Sequence, residues 1–219
     1  MITNNNITVS VLLTVFNTDF EFVKRAIQSV LNQDYSNFEL IIIDDGSETD
    51  LCTQIVDYID HQPANIVYLR HKNRGQSQSI NRGIQNSQGT FIAILDGDDE
   101  YKTNHLSTCL KSIKDLDLIA STTETVVDHN NDYFVPDKMN NATLVHVDDC
   151  ILFATLFGKK EVFQKVGFAN KYAADADFFE QAAVLFRVEK LDLRTYVYYR
   201  NNPNSICSVL KRNTQLLST

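Results

Sequence analysis

Tryptophan is absent, and proline (three) and glycine (seven) are scarce in the 219 residues. No Pro- or Gly-rich linker, internal repeat or low-complexity tract divides the chain, so a single domain over residues 1–219 is expected. No uncharged apolar run reaches the roughly 18 residues of a membrane-spanning helix, so no transmembrane segment is expected. The first apolar run, Ile7 to Phe16, has no basic flank before it and no cleavage pattern after it, and reads as a core strand rather than a signal peptide. Positive charge is also in deficit. Twenty Lys and Arg stand against 28 Asp and Glu, a net charge of −8, which argues against nucleic acid or anionic lipid as a bulk partner. The four cysteines, Cys52, Cys109, Cys150 and Cys207, are scattered with no CxxC pair. They read as reduced and mostly buried, which points to the cytoplasm. Apolar residues at 43% and charged residues at 22% fit a globular chain rather than a disordered one.

The first half alternates strand and helix patterns. Ile7 to Val15 is β-branched and almost wholly apolar, as a strand buried on both faces should be. Thr18 or Asp19 can cap a helix in which Phe22, Val23, Ala26, Ile27, Val30 and Leu31 recur at helical spacing. Strands follow at Phe38 to Ile43, Ile66 to Leu69 and Phe91 to Leu95, with helices at Leu51 to Ile59 and Gln76 to Gln85. Such alternation implies an α/β fold with a mainly parallel sheet, which binds ligands at the carboxyl ends of its strands. The second half is less regular. Helices are expected at Leu106 to Ile113, Glu161 to Val166 and Asp177 to Val188. Strands are expected at Leu118 to Ala120, Ile151 to Phe157 and Leu191 to Tyr199, and a polar loop at Val126 to Asn141.

Two acidic clusters follow strands directly, hence on one rim. In Asp96-Gly97-Asp98-Asp99, three carboxylates within four residues repel one another. A hard divalent cation relieves that repulsion, and Mg²⁺ or Mn²⁺ takes oxygen ligands. An acidic surface turn or helix cap is the competing reading. Asp44-Asp45-Gly46-Ser47 reads by itself as a turn with a capping residue. Arg74, in Asn73-Arg74-Gly75, could offer a guanidinium to a diphosphate or belong to a solvated loop. No GxGxxG follows the first strand, where Phe16-Asn17-Thr18-Asp19 stands, which disfavours a dinucleotide-dependent enzyme. The Gly-rich basic loop of a nucleotidyltransferase is missing there too.

Taken together, these segments resemble glycosyltransferase family 2, the inverting GT-A enzymes. The resemblance rests on Val9 to Asn17, Arg25 to Gln33, Phe38 to Ser47, Asn73 to Gly75, Asn81 to Ile84 and Gly89 to Asp99, in that order. It implies a Rossmann-like GT-A sheet flanked by helices. Residues of about 7–115 would form the nucleotide-sugar half, and about 116–219 a smaller acceptor half carrying the catalytic base. It further implies that Thr14, Val15, Phe16, Asn17 and Asp45 line the nucleobase pocket, with the Asp45 carboxylate accepting a base N–H. Asp96 would face the ribose or the metal shell, Asp98 would be the main ligand of Mn²⁺ or Mg²⁺, and Asp99 would stand beside it. In Ala173-Ala174-Asp175-Ala176-Asp177, Asp175 matches the family's base and Asp177 is the shifted alternative; Ala174 replaces the usual Glu. Asn202 stands where the family often has a metal-binding His. None of His61, His71, His105, His129 or His146 replaces it. The implied activity is hexosyltransferase-like, from a nucleotide-diphosphate sugar, UDP-linked at first choice, to a hydroxyl of a glycan or other acceptor. Work from the cytosolic membrane face as a peripheral protein is left open. The alternative, motivated by Ala174 and Asn202, is a relative that binds a nucleotide sugar without transferring it.

Overall fold

The computed structural model describes residues 7–137 and 143–201. The chain opens on Val9–Val15 (β1), buried along its whole length. A strand alternates its side chains between two faces, so β1 serves two cores at once. Val9, Val11, Leu13 and Val15 face one hydrophobic cluster and Leu12 the other. Phe38–Asp44 (β2) and Phe91–Asp96 (β4) repeat the pattern on either side of β1, and Ile66–Arg70 (β3) pairs with β2.

Helices cover both faces. Phe20–Leu31 (α1), Thr49–Ile59 (α2) and His105–Ile113 (α4) pack on the first cluster. Gln76–Asn86 (α3), Lys160–Val166 (α5) and Ala174–Leu185 (α6) pack on the second. The sheet continues through Leu156–Lys159 (β9), Leu118–Val126 (β6), Val188–Tyr199 (β10) and Glu100–Tyr101 (β5). Its order is β3-β2-β1-β4-β9-β6-β10-β5. β9 runs antiparallel to both β4 and β6, so β3, β2, β1, β4, β6 and β10 all run the same way. Their carboxyl ends share one rim, and both acidic clusters lie on it.

Several elements depart from the sequence reading. Phe22 is 37% exposed, because α1 turns Val23, Ala26, Ile27 and Val30 inward instead. The polar stretch after Val126 contains a 3₁₀ turn and Phe134–Pro136 (β7), which pairs with Leu144–His146 (β8) as a separate hairpin. In place of the strand expected from Ile151, Phe153–Thr155 forms a 3₁₀ turn. The Thr155 hydroxyl donates to the Leu152 carbonyl and accepts from the Leu152 amide, and β9 begins only at Leu156. α6 starts three residues early, at Ala174, because Ala174, Phe178 and Ala182 stack at helical spacing on the core. Of the cysteines, Cys109 is buried while Cys52 and Cys150 are half-buried, so burial of most of them does not hold among the described residues. All three are free thiols; Cys207 lies outside the described residues.

One buried polar group sets an acid limit on the fold. His105 is 2% exposed, stacks on Tyr101 at 3.8 Å, and has Nδ1 2.8 Å from Thr195 Oγ1. Burial depresses its imidazole from 6.5 to about 3. Between those values the unfolded chain takes up a proton that the folded chain refuses. Stability is therefore lost as pH falls from 6.5 toward 3, by about 1.4 kcal/mol per unit from this residue. Thermal unfolding of His105→Gln should show a smaller loss of melting temperature between about pH 7 and pH 5 than the parent. An unchanged loss would contradict the assignment.

Candidate active site

The rim is laced together by main-chain contacts. The Asp45 amide donates to the Val15 carbonyl at 2.8 Å, the Asn17 amide to Ser47 Oγ at 3.0 Å, and the Glu48 amide to Asn17 Oδ1 at 2.9 Å. Asn17 takes a φ of +47°, tolerated in asparagine, and is exposed. Phe16 beside it is 49% exposed. Val15 instead turns its side chain into the core, 2% exposed. It can line a pocket through its main chain alone.

The first acidic cluster divides its labour. Asp44 is fully buried. Its carboxylate accepts the Ser47 amide at 2.7 Å and the Tyr68 hydroxyl at 2.5 Å, and pairs with Arg70 Nε at 3.4 Å. Asp45 accepts the Arg74 and Gly75 amides, one on each oxygen, at 2.8 and 2.9 Å, and is 4% exposed. Its carboxylate holds this loop, where the family resemblance would have it receive a nucleobase. Gly46 at φ +85° permits the arrangement, since a Cβ there would stand 2.7 Å from the Asn73 amide nitrogen. The Arg74 side chain is exposed. His71 stands between the two parts with its side chain 5% exposed. Nδ1 lies 3.5 Å from Asp45 Oδ1, and Nε2 lies 3.2 Å from Ser79 Oγ.

The loop that Asp45 holds leads directly into α3, and its first residue reaches the second cluster. Gln76 Nε2 donates to Asp96 Oδ1 at 2.6 Å, and Thr14 Oγ1 stands 3.5 Å from the same oxygen. Burial, then the charges of Asp98 and Asp175, push the Asp96 carboxyl up to about 7. Thus Asp175, on the first turn of α6, lies within electrostatic reach of Asp96 although 79 residues separate them in sequence. Asn81 helps to bring it there. Its Nδ2 donates to the Phe168 carbonyl at 2.8 Å and its Oδ1 accepts the Phe168 amide at 2.9 Å, fastening the segment before α6 onto α3. Neither Gln76 nor Asn81 carries a signal that a single sequence could tie to Asp96 or Phe168.

The remaining acids separate by their partners. Asp177 is tied to Lys171 Nζ at 2.9 Å and to Gln181 Nε2 at 2.6 Å. Asp99 is 1% exposed, accepting the Tyr196 hydroxyl at 2.6 Å and the Tyr199 amide at 2.8 Å. Burial and the neighbouring charges of Asp98 and Asp96 raise its carboxyl well above the usual range. Asp99 therefore fastens the turn to β10. Asn202 lies outside the described residues.

The donor set fits a hard cation. Asp96 and Asp98 supply only oxygen, are half-buried, and repel each other strongly enough to shift the Asp96 carboxyl. Among the described residues, no three His, Cys, Asp or Glu side chains converge to hold a metal unaided. Mg²⁺ commonly takes only one or two protein carboxylates and completes its shell with phosphate and water.

The chain belongs to glycosyl transferase family 2, whose family model matches residues 10–187. It is 26% identical over 229 residues to an uncharacterized glycosyltransferase of Rickettsia prowazekii, covering 96% of this chain and 70% of that protein. It is 27% identical over 196 residues to glycosyltransferase GlyG of Streptococcus pneumoniae serotype 4, covering 88% of this chain and 60% of that one. An uncharacterized glycosyltransferase of Rickettsia bellii is 37% identical over 115 residues, 52% of this chain but 16% of its own length. The chain thus spans from 16% to 70% of the length of these relatives. Among solved structures, S. aureus TarS 1-349 in complex with UDP superposes with a TM-score of 0.68 at 20% identity, covering 88% of this chain and 60% of that one. Mannosyltransferase PcManGT from Pyrobaculum calidifontis, in complex with GDP-Man and Mn²⁺, gives 0.72 at 15% identity, covering 95% and 61%. The sheet and its flanking helices are the GT-A fold. No helix among the described residues is long and apolar enough to cross a membrane.

Proposed function

We propose that the chain transfers a sugar, with inversion, from a nucleotide-diphosphate sugar to a hydroxyl of a glycan or similar acceptor. The observation that supports this reading is the shared rim, where Thr14 of β1 and Gln76 of α3 both meet Asp96 of β4 and the charge of Asp175 is felt at the same carboxyl. UDP is the first choice of nucleotide, since TarS is a structural neighbour in complex with UDP. The exposed Phe16, Asn17 and Arg74 are available to base and diphosphate, while Asp45 shapes their pocket by holding the 74–75 loop. Mn²⁺ or Mg²⁺, when held by Asp98 and Asp96, would supply positive charge for the departing diphosphate.

An acceptor hydroxyl is a poor nucleophile until its proton is removed during attack. Asp175 takes that proton as the oxygen bonds to the anomeric carbon and the bond to the nucleotide breaks. The family match favours Asp175 for this role, and its charge acts on Asp96, while Asp177 meets Lys171 and Gln181. The free thiols suit cytoplasmic work, including at the cytosolic membrane face.

Hydrolysis of α-linked UDP-sugars by the protein, followed by proton NMR, tests the reading with water as the acceptor. The β-anomer of the free sugar should appear first. First appearance of the α-anomer would contradict inversion. Binding of every donor offered, without turnover in water or with mixed oligosaccharides, would favour the binding-only alternative.

A further inference from the structure

Arg25 lies outside the nucleotide and base sites, yet it touches the acidic turn at its centre. From α1 its Nη2 donates to the main-chain carbonyl of Asp98. Its guanidinium carbon sits 3.8 Å from the centroid of the Tyr199 ring, at the end of β10. Tyr199 in turn donates its amide to Asp99 Oδ1 at 2.8 Å and its hydroxyl to Glu100 Oε1 at 2.7 Å. The Arg25 Nε is buried with no hydrogen-bond partner. A buried donor left unmade is unfavourable, so the plane of the guanidinium is set by its other contacts: the Asp98 carbonyl, the aromatic face of Tyr199 and, farther off at 5.2 Å, the ring of Phe22. A planar fork can satisfy the carbonyl and the aromatic face together, where a flexible ammonium cannot.

We infer that Arg25 is a positioning residue for the cation-binding turn. It fixes the main chain of Asp98 and, through Tyr199, ties that turn to the end of β10. Asp99 is held by Tyr196 and Tyr199, and Arg25 adds a hold on the Asp98 carbonyl beside it. Residues that orient a metal ligand from behind commonly change metal affinity by roughly 10- to 100-fold when lost. The inference rests on the proposed reading of Asp98 as a cation ligand.

Calorimetric titration of Mn²⁺ into protein saturated with UDP separates the two. UDP affinity in EDTA and the melting temperature are measured on the same samples. Arg25→Met should weaken Mn²⁺ roughly 10- to 100-fold, with UDP affinity in EDTA within about twofold of the parent. Arg25→Lys keeps a donor for the carbonyl but loses the planar stack, and should fall between the two. This second variant carries the test if the first fails to fold. Parent-like Mn²⁺ affinity in the variants would overturn the inference and leave the cation site standing. So would a loss of UDP affinity in EDTA as large as the loss of Mn²⁺ affinity. Failure of the parent itself to bind Mn²⁺ with UDP would overturn the site reading and the inference together.

Discussion

Asp98→Ala should lower sugar transfer by roughly 100- to 1,000-fold, the scale of losing a group that stabilises charge in the transition state. The same variant should lose the effect of Mn²⁺ on nucleotide binding. Its melting temperature without ligand should equal or exceed that of the parent. The reason is electrostatic: beyond burial, the charge of Asp98 raises the carboxyls of both Asp96 and Asp99, so the acids of this turn oppose one another. Removing one relieves that opposition. Misfolding would lower both activity and stability, whereas the account requires them to part. Near-parent transfer by Asp98→Ala in metal-free buffer would contradict the cation role.

Asp175→Asn should leave donor binding intact and reduce kcat by roughly 100- to 10,000-fold, the usual contribution of a general base. An amide is close to the carboxylate in shape but cannot accept the acceptor's proton at neutral pH. Steady-state kinetics should show little change in KM for the donor, since the interaction is needed only in the transition state. Asp177→Asn is the matched control. Its partners Lys171 and Gln181 are surface contacts, and kcat should remain within a few-fold of the parent. A large loss in Asp177→Asn with none in Asp175→Asn would transfer the role of base to Asp177.

The first four parallel strands and α1 to α3 were legible because each apolar run has one dominant period and ends on a polar turn. Their joint order made the donor end of the site readable. What the sequence leaves hidden is governed by distant partners. Asp99 looks like Asp98 in sequence, but a tyrosine hydroxyl and an amide from β10, 97 and 100 residues away, take its oxygens. His71 looks ordinary until Asp45 and Ser79 close around it. The turn at Phe153–Thr155 hides in an apolar run because one hydroxyl captures the backbone. α6 begins after Ala173, a non-glycine residue at φ +53°, which carries no local signal for a helix start. Asp175 is recognisable by family likeness, with Asp177 as the alternative that the matched variants test.

The central claim is that Asp96 and Asp98 form the cation-dependent donor end of a nucleotide-sugar site. Thermal unfolding with UDP-sugars and GDP-sugars, in Mn²⁺ and in EDTA, tests it most directly. A ligand that binds only the folded state raises the melting temperature by mass action. At least one nucleotide sugar should stabilise the parent in Mn²⁺ more than in EDTA, and Asp98→Ala should lose that difference. An identical response in Mn²⁺ and EDTA, or a difference that persists in Asp98→Ala, would contradict it.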